Sequence, residues 1–79
     1  MKFTEEEKAF LNRLVLNKLE IDLIFITKDD LKVIKQYLLD NFVNPLSSQE
    51  KRNFDEQGFL DLANGLVTKI DEYFKNNQN

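Results

Sequence analysis

At the start of each helix this sequence suggests, a threonine or serine stands three positions ahead of an acidic residue. The pairs are Thr4 with Glu7, Thr27 with Asp30, and Ser47 with Glu50. This is the capping box, in which a hydroxyl accepts from a backbone N–H of the first helical turn and a carboxylate reaches back to the N–H of the cap. Acidic residues also crowd each predicted first turn, at Glu5 to Glu7 and at Asp29 and Asp30, where they meet the positive end of the helix dipole. With two glycines and one proline in 79 residues, the chain has few other places to break. The spacing predicts helices over about residues 5–25, 28–42 and 48–75. Asn44-Pro45 ends the second, because the residue before a proline is pushed out of helical geometry.

Apolar periodicity agrees. Leu31, Ile34, Leu38 and Phe42 share one face of helix 2, with Tyr37 at its edge. Phe59, Leu62, Ala63, Leu66, Ile70 and Phe74 share one face of helix 3, with Tyr73 nearby. The expected fold is all-α: a single domain over residues 1–79 forming a small three-helix bundle with short connections and mostly antiparallel neighbours. A break of the third helix near Gly58 would give four helices.

Helix 1 departs from this regularity. At 100° per residue, Phe10, Leu14, Ile21 and Phe25 fall in one arc, and Val15, Leu16, Leu19, Leu23 and Ile26 fall in another. Arg13 and Asn17 separate the arcs on one flank, and Lys18 and Asp22 on the other. A helix apolar on two faces has to be covered on two sides. Either helices 2 and 3 each cover one, or one arc is left for a second chain.

Composition narrows the classes of function. Cysteine is absent and histidine is absent, so disulfides and imidazole or thiolate metal sites are excluded. A domain this small then depends on a dense apolar core or on association with another chain. Twelve Leu, seven Phe, five Ile and four Val suffice for a core. No activated nucleophile stands beside a base, and the adjacent carboxylates Glu6/Glu7, Asp29/Asp30, Asp55/Glu56 and Asp71/Glu72 do not face each other on a helix. The expectation is therefore not an enzyme, with no cofactor and no metal. The acidic N-terminus is unlike a secretory signal, and Leu23 to Ile26 is too short an apolar run to span a bilayer. Neither membrane attachment nor export is expected, and the default location is cytoplasmic.

These features describe a small regulatory or accessory module acting by protein–protein interaction. Its expected contact surface is the second arc of helix 1, through Val15, Leu16, Leu19 and Leu23. Its expected partner is another protein or a second copy of itself in a homodimer. Lys28, Lys32 and Lys35 form a stripe on helix 2, which offers the alternative of a nucleic-acid-binding regulator of helix-turn-helix type. A net charge of −3, with both signs mixed along the chain, argues against that alternative. A remote third reading comes from residues 53–64, which resemble a degraded EF-hand calcium loop. Gly58, Leu60, Asp55 and Asp61 sit where such a loop needs them, but Asn53 and Asn64 replace its two strongest ligands.

Overall fold

The computed structural model describes residues 1–77. They form three helices and, among the described residues, no strand. Helix α1 (residues 5–19) begins at the expected box: Glu7 N–H donates to Thr4 Oγ1 at 3.1 Å, and Thr4 N–H donates to Glu7 Oε1 at 2.7 Å. Helix α2 (residues 28–47) begins at the second box, with both Thr27–Asp30 bonds at 3.0 Å. Helix α3 runs over Phe54–Asn76 and is continuous through Gly58.

Helix α1 ends six residues before the expected Phe25. Glu20 takes a left-handed conformation, with φ 57° and ψ 41°, and Ile21 N–H donates to Leu16 O at 3.1 Å. That six-to-one bond is the Schellman closure, usually built on glycine. The sequence carries no glycine at this point to announce it. Residues 21–26 therefore leave the helix. The expectation of a helix over 5–25, and with it the lower half of both predicted arcs, is corrected here.

Inside α1, Asn12–Leu16 form a π turn. A π turn holds more residues than the 3.6 of an α-turn, so each residue advances by a smaller angle. The residues beyond the bulge swing back toward the line of Phe10 and Leu11. The two arcs of the ideal helix thus converge, and Phe10, Leu11, Val15 and Leu16 are all buried in one core.

Helix α2 contains a second π turn at Leu39–Val43, followed by a last helical turn at Asn44–Ser47. Pro45 does not stop the helix. Asn44 N–H reaches back five residues to Leu39 O, and Pro45 then sits in the first turn of the following segment, where a missing N–H costs least. The widened turn relieves the clash a proline ring makes with the carbonyl four residues earlier. Ser47 is consequently not a cap: its hydroxyl donates to Val43 O, and Ser48 Oγ donates to Asn44 O at 2.7 Å. Arg52 closes this end, its Nη1 donating to Leu46 O at 2.8 Å and Gln49 O at 3.1 Å. The true third box is Asn53 with Glu56, at 2.8 and 3.0 Å.

Both α1 and α2 oppose α3. Lys35 pairs with Asp71 near one end of α2, while Phe42 meets Phe59 near the other. Glu7 pairs with Lys69, and Phe10 meets Phe59. Helices α1 and α2 therefore share a direction, and residues 20–27 bring the chain back toward the end where it began. The expectation of antiparallel neighbours holds for α3 and fails for the α1–α2 pair. The rings of Phe10, Phe42 and Phe59 lie 5.0 to 6.4 Å apart where the three helices meet. Around them Leu38, Leu66, Ile34 and Ile70 are fully enclosed.

Two positions test this backbone. A Cβ on exposed Gly58 would meet nothing within 4 Å, so Gly58→Ala is expected to stabilise the chain by about 1 kcal/mol through helix propensity. Glu20→Gly is expected to stabilise by up to about 1 kcal/mol by removing the left-handed penalty. Urea unfolding of both variants checks this; a destabilised Glu20→Gly would place the end of α1 elsewhere.

Candidate functional site

Six residues, 21–26, connect the Schellman turn to the cap of α2, and they divide their side chains between two environments. Ile21, Leu23 and Ile26 pack against the core. Ile24 and Phe25 point outward and are 81% and 75% exposed. A short 3₁₀ turn at Leu23–Phe25 sets this division. Asp22 caps it: its Oδ1 accepts from Ile24 N–H at 2.9 Å, and its carbonyl accepts from Phe25 N–H at 3.1 Å. The outward pair is thus held by a hydrogen-bonded turn.

Beside this pair lies an open groove of about 570 Å³. Leu23, Ile24 and Ile26 form one wall, Met1 and Phe3 another, and Leu31 and Tyr73 complete it. The charged residues that line it are Lys2 and Lys8. The N-terminal wall is tied down by Lys69, whose Nζ donates to Lys2 O at 3.1 Å and also to Glu7 Oε1. Phe3 folds onto the core, as a residue preceding a helix cap often does.

Glu7 is the one buried acid among the described residues. Burial pushes its carboxyl up, but the Lys69 ammonium and the Thr4 backbone N–H and hydroxyl together outweigh that and hold it below the ordinary value of 4.5. Gly65 faces it: a Cβ there would lie 3.8 Å from Glu7 Oε2, an ordinary contact. Nothing forces glycine at that position.

The sequence-predicted surface is placed differently. Val15 and Leu16 are 0% and 2% exposed and belong to the core, so they cannot offer a face to a partner. Leu19 and Leu23 are half-buried against that core. Of the four, Leu23 alone lines the groove. The exposed pair was missed because a continued helix puts Phe25 in line with Phe10 and Leu14. The available signal was Asp22, a good cap, just ahead of the longest apolar run in the chain.

The other candidates are absorbed by the fold. Lys35 pairs with Asp71, and Lys32 Nζ lies 5.8 Å from the centre of the Phe74 ring, so two of the three stripe lysines are engaged within the chain. Residues 54–64 are helical, which overturns the calcium-loop reading: a helix spreads Asp55 and Asp61 along its surface instead of wrapping them round an ion. Among the described residues no group of three or more acidic side chains is placed to hold a metal. Among them too, no helix is long and apolar enough to cross a membrane. Phe54, in the first turn of α3, is 93% exposed although the helix is continuous.

No protein-family model matches this chain, and no similar curated protein or solved structure is found.

The Glu7–Lys69 pair carries a pH signature. Glu7 is depressed in the folded state, so its contribution to stability is complete above about pH 4.5 and is lost as pH falls through the folded value. Denaturant midpoints measured from pH 7 to pH 3 are expected to fall more steeply for the native chain than for Glu7→Gln. Parallel curves would remove Glu7 as a contributor to acid sensitivity.

Proposed function

We propose that this chain is a non-catalytic protein-interaction module that docks a partner on the surface formed by Ile24, Phe25 and the groove beside them. One observation carries the reading: a capped turn holds two adjacent large apolar side chains outward while their three apolar neighbours face in. Scattered single exposed hydrophobics are ordinary, whereas a contiguous apolar surface rimmed by charge marks an interaction site. Aromatic and aliphatic anchors of this kind provide most of the energy of protein contacts. The carboxylate most altered by its surroundings, Glu7, is directed at Lys69 and Thr4 and not at open space, which favours a binding role over acid–base chemistry.

A displayed peptide library selected against the full chain provides the test. Enriched peptides are expected to bind the native chain and to lose at least about tenfold in affinity for the Ile24→Asp/Phe25→Asp variant, the size of effect expected of an interface anchor. The melting temperature of that variant is expected to stay within a few degrees, because both side chains are exposed. Peptides that bind both forms equally, or a library that yields none, would overturn the assignment.

A further inference from the structure

The charges around the end surface are unevenly divided. The protruding pair Ile24–Phe25 is flanked by Glu20 and Asp22, and the next cation along the chain, Lys28, lies beyond the α2 cap. The groove has the opposite character: its charged liners are Lys2 and Lys8, of which Lys8 also reaches Glu5 at 3.4 Å. An acidic-flanked apolar knob and a basic-rimmed groove of mixed polar and apolar lining thus sit side by side, with Ile24 belonging to both.

We propose that the occupant of this surface is a second copy of the chain, the knob of each protomer seated in the groove of the other. The inference rests on the docking reading above. Knob and groove share one end of the molecule, so a single two-fold axis through that end engages both at once, as a self-complementary interface requires. Under that axis Glu20 and Asp22 of each copy approach Lys2 and Lys8 of the other, and the patch neutralises itself. An anionic lipid surface is disfavoured by the same acidic flanks.

Sedimentation equilibrium of the full chain, from micromolar to about millimolar concentration, tests the proposal. The native chain is expected to reach twice its monomer mass, and Ile24→Asp/Phe25→Asp to remain monomeric while still melting cooperatively. A charge exchange gives an internal fold control. Lys2→Glu/Lys8→Glu and Glu20→Lys are each expected to self-associate at least about tenfold more weakly, through like charges across the interface. An equimolar mixture of the two is expected to recover dimer, because the unchanged knob then faces the unchanged groove and the new lysine at position 20 faces the two new glutamates. A native chain that stays monomeric throughout, a dimer that survives the Ile24/Phe25 double change, or a mixture that does not reassociate would overturn the second-copy assignment. If displayed peptides still require Ile24 and Phe25 on a monomeric chain, the docking surface stands and its occupant is a different protein.

Discussion

The bond from Ile21 N–H to Leu16 O is small, but the architecture follows from it. It ends α1 at residue 19, and it requires Glu20 to adopt a conformation that L-residues avoid. Had the helix run on, residues 21–26 would have extended the rod and carried their apolar side chains away from α3. Instead the chain turns back, and α2 starts near the end where α1 began. The groove exists because that return path lies beside the N-terminal segment, with α2 and α3 closing it through Leu31 and Tyr73.

The two π turns each solve a packing problem. In α1 the apolar pattern drifts relative to an ideal α-helix and one wide turn corrects the drift; in α2 the face is regular and the wide turn admits a proline. In α1 the correction brings Val15 and Leu16 under the same cover as Phe10 and Leu11. In α2 it accommodates Pro45 and lets the helix run on to its serine-rich end, where Arg52 takes up the last carbonyls. Local backbone irregularity is the cost of a continuous core. It is repaid in burial, since dispersion and the removal of apolar surface from water favour a core without gaps.

Polar groups in this fold mainly fix positions. Glu7 satisfies the Thr4 N–H, receives Lys69, and through Lys69 is linked to the Lys2 carbonyl, so one buried carboxylate anchors the start of α1 and the N-terminal wall of the groove. Gly65 opposite leaves it space without being sterically required. The lysine stripe on α2 likewise secures α3 through Asp71 and the Phe74 ring.

What the sequence determined by itself is everything that depends on neighbours three or four residues apart. The boxes at Thr4 and Thr27 start helices where expected, and the faces Leu31–Ile34–Leu38 and Ala63–Leu66–Ile70 form the core, because capping and amphipathic spacing act within one or two turns. The third cap was misplaced at Ser47, because Asn53 with Glu56 has the same spacing and local pattern alone does not choose between them. What the tertiary structure decided is where a helix departs from its local preference. A left-handed glutamate, two π turns and a proline inside a helix are each disfavoured or neutral locally, and burial against the other helices selects them. That is why Val15 and Leu16, on a separate arc from Phe10 in an ideal helix, are enclosed with it, and why Phe25, in line with Phe10 and Leu14 on a continued helix, stands exposed beside Ile24. Local propensity amounts to tenths of a kcal/mol per residue, whereas burying or exposing one large apolar side chain is worth about 1.5 to 3 kcal/mol, so packing prevails wherever the two disagree.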